Sequence, residues 1–464
     1  MTSSPGTGRP VAGTESGPVE GITVDGVATF RGIPYAASPV GDRRFAAPQP
    51  VPPWPGLRDA SQPGPSVPQG PSRLEAVMGA RVPDWDEDGC LNLNVWAPRW
   101  PADGPPDQAR PVLVWFHGGG FSSGSGGWDW YDGRHLAAAG DIVVVTANYR
   151  LGPLGYLYLP ELGIGNLGVQ DQVAVLGWVE RNIAAFGGDP GRLTVGGQSA
   201  GAFSALHLAL APDTGPRVGQ VITQSGPWGL PPQQPGEAAL HSRRYLEILG
   251  LAGRPDLGPA LRALPAEVFL PAYRQLAREV GRPGSAAPPL YPVLGGAGIP
   301  ADWPQPLAAG RLSGKPLLTG TTRDEMAAFF AFDPRIEALA AGQGQSVADF
   351  TRAATEALFR AGTLEVAGQH AARGDAAYVY QFDRAPVPDP DQLGAPHCSE
   401  LPFFFNTIDA YDGSAMLGLP VPWARRLGRR FSAAIAGFVA TGRPADDEWV
   451  PYQPADPATV RHLA

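Results

Sequence analysis

The amino-acid sequence predicts an α/β fold, with a mixed, mostly parallel sheet flanked by helices. Short apolar runs typical of buried strands alternate along the chain with helix-length segments whose apolar residues follow a 3.6-residue period. The predicted strands are residues 112–116, 142–147, 193–196, 220–224, 316–319 and 377–382. This alternation indicates parallel strands joined by helices, with both faces of the sheet covered.

A hairpin is predicted to open the sheet, because residues 19–30 read as two short strands on either side of Asp25-Gly26, a pair that favours a tight turn. Four helices are predicted at residues 169–183, 237–249, 267–280 and 423–438. We expect residues 1–17 to form a disordered tail and residues 18–464 to form a single domain. Helical insertions at about residues 226–314 and 333–374 are expected to cap the carboxyl edge of the sheet.

Composition limits the classes of partner. The chain has 464 residues, a formal net charge of -9 and no extended cluster of lysine or arginine, which argues against nucleic-acid binding. There is no apolar core of a secretory signal at the N-terminus and no run of 18 apolar residues, so neither secretion nor a membrane span is expected. The two cysteines, Cys90 and Cys398, agree with a reducing cytoplasm. We favour a monomer.

A serine at a strand-to-helix junction is the first candidate for chemistry. The short strand at residues 193–196 runs into G-Q-S-A-G at residues 197–201, and an apolar helix pattern follows. Such a turn strains the serine backbone and holds the hydroxyl clear of the main chain, while Gly197 and Gly201 leave room for the bend. Ser199 is therefore a candidate nucleophile, although a glycine-rich turn with a capping serine would have the same pattern.

A glycine-rich loop after an earlier strand has the form of an anion-binding site. The sequence H-G-G-G-F at residues 117–121 directly follows the strand at residues 112–116. Successive glycines let backbone N–H groups converge on the negative oxygen that forms when a hydroxyl attacks an acyl carbon. The expected donors are Gly119, Gly120 and Ala200, the last at the start of a helix. A phosphate-binding loop fits less well, because no G-K-[ST] follows.

A serine nucleophile needs a histidine base, which in this kind of arrangement comes after the serine and the acid in the chain. The histidines that follow Ser199 are His207, His241, His370, His397 and His462. The first lies along the nucleophile's own helix and points away, the next two lie in helix-like segments typical of solvated surface, and the last lies in the C-terminal tail. His397 follows the strand at residues 377–382, at the carboxyl edge of the sheet, and is the candidate base.

The carboxylate that orients the base is expected after the preceding strand. Residues 315–319 lead into G-T-T-R-D-E at residues 320–325, so Asp324 and Glu325 both qualify by position. Chemistry alone divides them evenly, and Asp333 is a more distant third candidate.

Blocks spread over about residues 18–452 resemble the type B carboxylesterase family, which includes bacterial p-nitrobenzyl esterases, animal carboxylesterases and cholinesterases. The blocks are residues 30–36 with 44–45, 87–95, 117–121, 148–150, 165–166, 171–172, 182–190, 197–201, 324–325 and 397 with 400–403. So many ordered blocks rarely coincide by chance. The resemblance implies the α/β-hydrolase fold and a serine carboxylesterase. Aromatic residues clustered near the presumed site favour small to medium hydrophobic or aryl esters as its substrates.

The resemblance also implies residue roles. In the family the second acid of the Asp-Glu pair completes the triad, which implies Glu325 with Ser199 and His397. A Ser-His-Glu triad works through an acyl-enzyme and needs neither a metal nor an organic cofactor. Residues expected to bind the small-molecule ester are Gln198, Phe329, Trp228 and Phe403.

Two departures from the family pattern affect the expectations. Gln198 replaces a glutamate that many members carry before the serine, so a choline ester is a disfavoured substrate. Val67 replaces the cysteine that often pairs with Cys90, and Cys398 is an improbable partner and a weak rival nucleophile. Use of the triad on an amide, carbamate, lactone or toxin ester is the alternative. A non-catalytic adhesion module is disfavoured because the serine, acid and histidine are all retained.

Overall fold

A ten-stranded mixed sheet organises the molecule. The computed structural model describes residues 9–81, 84–101, 109–419 and 422–464. Within these ranges the strands are β1 Val11–Thr14, β2 Gly17–Glu20, β3 Ile22–Val24, β4 Val27–Pro34, β5 Arg58–Asp59, β6 Asn92–Pro98, β7 Arg110–Phe116, β8 Val143–Ala147, β9 Gly188–Gln198, β10 Gln220–Gln224, β11 Leu317–Thr322, β12 Ala377–Phe382 and β13 Val460–Leu463.

The large sheet has the order β13-β12-β11-β10-β9-β7-β8-β6-β4-β3. All neighbours from β13 to β8 run parallel. The pairs β8–β6, β6–β4 and β4–β3 are antiparallel. Strands β1, β2 and β5 form a separate small sheet. This arrangement confirms the predicted mixed, mostly parallel sheet of the α/β-hydrolase fold.

Helices occupy most of the longer connections. Their bounds are Glu75–Met78, Arg134–Gly140, Gly152–Tyr156, Leu167–Asn182, Ala200–Leu210, Pro235–Ile248, Leu257–Ala263, Ala266–Val280, Gln305–Ala308, Ala327–Phe330, Arg335–Gly342, Val347–Thr355, Ala361–Ala371, Leu401–Phe404 and Pro422–Thr441. A π-helical segment, Glu356–Arg360, joins two of them. In the ranges that the structure describes, we find no helix with the length and apolar character to cross a membrane.

Both faces of the sheet are buried, which explains why its central strands read as continuous apolar runs. Along β7, Val114 and Phe116 face one hydrophobic core, and Leu113 and Trp115 face the other. The first core includes helix Leu167–Asn182, and the second includes helix Pro422–Thr441. The surrounding cores therefore hold the central strands in place, together with the residues at the ends of these strands.

The N-terminal hairpin is confirmed, because Val24 pairs with Val27 across Asp25 and Gly26, which both have positive φ. The predicted disordered tail is wrong for part of its length. Strand β1 pairs with β2 in antiparallel register from Val11 to Glu20, so backbone hydrogen bonds order this stretch. The rest of that prediction, residues 1–8, lies outside the described residues.

The two proposed insertions are helical, but they differ in what they pack against. Pro227 and Pro288 from the first, and Phe359 from the second, line the same pocket at the carboxyl edge of the sheet. Helix Ala361–Ala371, at the end of the second insertion, packs on β11 and β12. That helix therefore belongs to the layer that covers the sheet and not to a cap.

Candidate active site

Ser199 occupies a sharp turn between β9 and helix Ala200–Leu210, at the carboxyl end of a central strand. Its backbone has φ 55° and ψ -119°, which a residue with a side chain rarely adopts. The Ser199 N–H donates to the carbonyl of Gln224 on β10 at 2.8 Å. The strained turn is thus anchored to the neighbouring strand, and the side chain projects from the sheet edge.

Glycines permit this turn by allowing the backbone to approach closely. A Cβ atom at Gly201 would lie 1.9 Å from the carbonyl oxygen of Phe116, and one at Gly197 would lie 2.3 Å from the backbone of Gly201. Neither position can accept a side chain without displacing β7 or the turn. The G-x-S-x-G pattern is therefore a steric requirement of the turn.

The loop after β7 passes directly over the serine. A Cβ atom at Gly118 would lie 2.4 Å from Oε1 of Gln198 and 3.3 Å from Cβ of Ser199. Gly119 and Gly120 both have positive φ, 114° and 58°. A Cβ at Gly119 would lie 1.9 Å from the carbonyl oxygen of Ser123. The loop thus brings its backbone against the first turn of the helix that begins at Ala200, whose N–H groups lack intrahelical acceptors.

His397 and Glu325 form a buried pair. Nδ1 of His397 lies 2.5 Å from Oε2 of Glu325, and the two side chains are 1% and 0% exposed. The other carboxylate oxygen of Glu325 accepts the Thr322 N–H at 2.8 Å. When the carboxylate accepts the proton of Nδ1, the basic lone pair of the neutral imidazole is the one on Nε2.

The geometry separates the two acids that the sequence left open. Asp324 accepts the backbone N–H of Ala395 at 2.8 Å and pairs with Arg323, so it anchors the loop that carries His397. Asp333 pairs with Arg335. Of the three carboxylates, it is Glu325 that contacts the imidazole.

Gln198 lies between the base and a cysteine. Its Nε2 lies 3.2 Å from Nε2 of His397 and 3.3 Å from Sγ of Cys398. Among the described side chains, Ser199 Oγ forms no hydrogen bond with the imidazole. Ser199 and His397 nevertheless both line the pocket at the carboxyl edge of the sheet, which we call the gorge. The amide thus occupies the nitrogen that a serine hydroxyl would use.

Aromatic side chains form much of the gorge wall. Phe329 and Phe359 lie on the imidazole of His397, with ring centroids 5.3 Å and 5.0 Å away. Trp128, Trp130 and Tyr131 line it as well. The prediction of Phe329 agrees with this geometry. Phe359 was missed, because its position depends on a π-helical segment that no local sequence pattern marks.

Two of the four predicted substrate-binding residues were wrong, since Trp228 and Phe403 are not among the gorge-lining side chains. The side chain of Trp228 occupies space that Gly226 and Gly362 leave open: a Cβ atom at Gly226 would lie 2.1 Å from its indole ring, and one at Gly362 would lie 2.3 Å from the Cβ atom of Trp228. Phe403 is buried against Phe382 with its ring centroid 5.1 Å away. Both side chains contribute to packing.

Glu400 was not expected at the site. It is fully buried and accepts a hydrogen bond from Ser225 Oγ at 3.2 Å. Burial, together with the nearby carboxylate of Glu325, raises the pKa of Glu400 to about 7. The signal in the sequence was Ser225, a polar residue at the end of β10, the strand next to the nucleophile's own.

The positions of three other histidines agree only in part with the sequence predictions. His207 is buried against Phe203 and Trp303, as part of the core. His370 is also buried, so its predicted surface position was wrong: it lies on helix Ala361–Ala371, which packs on β11 and β12. His462 was predicted in a loose tail, but it lies on β13, and its Nδ1 is 2.6 Å from Asp383.

Cys90 and Cys398 are both buried and free. Burial raises the pKa of the Cys398 thiol well above its ordinary value, with the carboxylates of Glu400 and Glu325 adding to the effect. A thiol that resists ionisation is a poor nucleophile. In the described part of the chain, no cluster of three or more His, Cys, Asp or Glu side chains is placed to hold a metal ion.

Known proteins match this chain in sequence and in structure. The model of the carboxylesterase family matches residues 8–341 and 337–463. Phenmedipham hydrolase of Pseudarthrobacter oxydans is 36% identical, over 97% of this chain and 94% of the relative. The probable N-octanoylanthranilate hydrolase of Rhodococcus erythropolis is 37% identical, over 92% of each chain.

A solved structure of a thermophilic PNB esterase superposes with a TM-score of 0.82 at 33% identity, covering 95% of this chain and 92% of that one. Sequence and structure thus match the same group of proteins over nearly their whole length. This chain belongs to the carboxylesterase family and is a carboxylic ester hydrolase.

Proposed function

We propose that this enzyme cleaves esters in two steps through an acyl-enzyme on Ser199. His397 takes the proton of Ser199 as the hydroxyl attacks the ester carbonyl, and it returns that proton to the departing alcohol. A water molecule, activated by the same histidine, then releases the acid and restores the serine. The observation that carries the proposal is the buried 2.5 Å contact between His397 and Glu325, beside a strained serine.

Glu325 acts through the imidazole and not on the substrate. By accepting the Nδ1 proton it fixes the tautomer in which Nε2 is the base, and it stabilises the imidazolium that forms when the proton moves. The burial of both groups strengthens this interaction, because little water competes for either partner.

The backbone N–H groups of Gly119, Gly120 and Ala200 are the proposed donors to the tetrahedral oxyanion. The close approach of Gly118 to Gln198 and Ser199 supports this assignment, because it puts the loop within contact of the nucleophile. Removing one such donor costs roughly 10²- to 10³-fold in kcat in enzymes of this type. Backbone donors are held in place before the reaction and need no reorganisation.

The wall of the gorge favours apolar acyl or aryl groups. Phe329, Phe359 and Trp128 line it, and the cavity beside Ser199 has a volume of only about 60 Å³. A narrow aromatic space excludes bulky or heavily hydrated groups at the reacting carbon. Gln198 supplies an amide and no negative charge, so we propose that cationic choline esters are poor substrates.

Amide cleavage is a second candidate. A relative of 37% identity is named for the hydrolysis of N-octanoylanthranilate, in which the acyl group is bonded to nitrogen. The same triad can protonate an amine leaving group, since His397 holds the required proton after the first step.

The test is hydrolysis of p-nitrophenyl acetate and butyrate by the wild type and by Ser199→Ala, with N-acyl anilides as the amide arm. We expect turnover in the wild type and a loss of roughly 10⁴- to 10⁶-fold in kcat in the variant. Ser204→Ala is the matched control, because Ser204 lies on the same helix, bonded to the carbonyl of Ala200. No wild-type turnover would favour a binding module, and undiminished turnover in Ser199→Ala would indicate another nucleophile.

A further inference from the structure

A wide cleft adjoins the gorge. It has a volume of about 830 Å³ and shares Arg73, Leu230 and Pro288 with the wall of the gorge. Helix Ala266–Val280 and the loop that follows it supply much of its remaining surface. A substrate whose ester group is bound at Ser199 can therefore extend into this cleft past Arg73.

The cleft is basic although the protein is acidic. Within the described residues its lining contains one carboxylate, Glu237, and five arginines. The arginines are Arg73, Arg274, Arg278, Arg282 and Arg335. In a chain of net charge -9, such a concentration of one sign produces a local positive potential that attracts anions.

Most of these guanidinium groups form no ion pair with another described residue. Arg335 pairs with Asp333, but in the described ranges the other four form no ion pair. Glu279, next to Arg278 in the sequence, is bound by Arg244 instead. Among the described residues, the positive charge of the cleft is therefore only partly neutralised by ion pairs.

Two of the arginines are placed where they repel each other. Arg274 and Arg278 lie four residues apart on helix Ala266–Val280, on the same side of the helix. Like charges at this spacing destabilise a helix slightly, and neither residue forms a hydrogen bond or ion pair that would offset the cost within the described chain. A bound anion would offset it.

Among the arginines of the cleft, Arg73 is the one that also lines the gorge with Ser199 and His397. A Cβ atom at Gly120 would lie 2.8 Å from Nη2 of Arg73, and the same Nη2 donates to the carbonyl of Ala286 at 2.9 Å. That single hydrogen bond fixes the guanidinium beside the oxyanion loop and leaves its other N–H groups available. Desolvation lowers the pKa of Arg73, yet a guanidinium remains charged at any physiological pH.

We propose that the preferred substrates are esters that carry a second, ionised carboxylate a few carbons from the scissile carbonyl. Arg73 binds that carboxylate through its planar fork of donors, and the remaining arginines hold any further acidic group in the cleft. The inference rests on the proposed function, because it concerns the substrate of the same serine. The reaction itself is unchanged: the ester C–O bond breaks, the acyl group passes to Ser199 Oγ, and the alcohol leaves with the proton from His397.

The test compares anionic esters with uncharged esters of equal length. Monoethyl glutarate and monoethyl adipate carry the charge on the acyl side, and their uncharged matches are ethyl pentanoate and ethyl hexanoate. The pair 4-acetoxybutanoate and butyl acetate places it on the alcohol side. We expect at least one anionic ester to exceed its uncharged match in kcat/KM, with a preference that falls as NaCl is raised.

The decisive variant is Arg73→Gln. We expect it to lower the ratio of kcat/KM for the anionic ester to kcat/KM for the uncharged ester by about 10- to 100-fold, because it removes a charge-assisted hydrogen bond. Arg243→Gln is the control, because Arg243 is exposed on helix Pro235–Ile248 and does not line the cleft. The ratio is insensitive to partial misfolding, which would reduce both activities together.

The failure of this inference differs from that of the proposed function. If the wild type hydrolyses the uncharged esters through Ser199 but shows no preference for either class of anionic ester, the carboxylate proposal is overturned and the esterase proposal stands. An equal ratio in the wild type and Arg73→Gln would also overturn it. If no ester of either kind is hydrolysed, the esterase proposal itself fails, and the inference fails with it.

Discussion

The side-chain amide of Gln198 lies 3.2 Å from Nε2 of His397, the ring nitrogen that accepts the proton of Ser199 in the proposed mechanism. The amide and the hydroxyl therefore compete for one lone pair. The reactive arrangement requires Gln198 to release the imidazole while it keeps its second contact, the 3.3 Å interaction with Sγ of Cys398.

Removing this competitor should accelerate acylation. Gln198→Met preserves side-chain length but carries no N–H donor, so we expect the rate of acyl-enzyme formation to rise by about 2- to 10-fold, the value of one ordinary hydrogen bond. The burst phase of p-nitrophenyl butyrate hydrolysis, measured by stopped flow, reports this step. A slower burst in the variant would show that the amide helps the histidine instead of occupying it.

The two neighbouring acids should respond very differently to neutralisation. Glu325→Gln removes the carboxylate that orients His397, and we expect kcat to fall by roughly 10³- to 10⁴-fold. Asp324→Asn retains an oxygen for the Ala395 N–H, so we expect a change of less than about 10-fold. Steady-state assays of the two variants side by side test the assignment. Equal losses, or a larger loss in Asp324→Asn, would contradict it.

Glu400 should make stability depend on pH. Burial raises its pKa to about 7, so between about pH 4.5 and 7 the folded chain keeps a proton that the unfolded chain has released. The free energy of unfolding should therefore fall as pH rises through this window, and the loss should be complete above about pH 7.

Glu400→Gln removes this titration while retaining an oxygen for the Ser225 hydroxyl. The free energy of unfolding of the variant minus that of the wild type should increase by roughly 3 kcal/mol between pH 4.5 and pH 8. Urea denaturation of both proteins at the two pH values measures the difference, and the contributions of other groups cancel. A difference that stays constant with pH would mean that folding does not raise the pKa of Glu400.

The parts of the fold that could be predicted from the sequence are those with strong local patterns. Strands β10 and β12 are buried on both faces, and their apolar runs mark their bounds closely. Strand β6 went unrecognised because Asn92 and Asn94 interrupt its apolar residues, and their side chains bond to neighbouring loops. Strands β1 and β13 are short edge strands whose order depends on pairing with distant partners.

The same distinction applies to the site. The serine turn and the glycine loop were predictable, because each is a local steric pattern. The choice between Asp324 and Glu325 depends on the direction in which each side chain leaves the backbone, which residue spacing alone does not specify. Trp228 and Phe403 were misplaced for a related reason: aromatic residues near a site in sequence pack wherever space is open. Arg73 carries no motif, and only the folded chain brings it beside Gly120.

The central claim, that Ser199 is the nucleophile of a base-activated pair, is tested most directly by covalent labelling with diethyl p-nitrophenyl phosphate. We predict release of one p-nitrophenolate per chain, complete loss of esterase activity, and a phosphoryl adduct that peptide mass spectrometry places on Ser199 and that Ser199→Ala does not form. An adduct on another residue, Cys398 included, or full labelling of Ser199 with activity retained, would contradict the account.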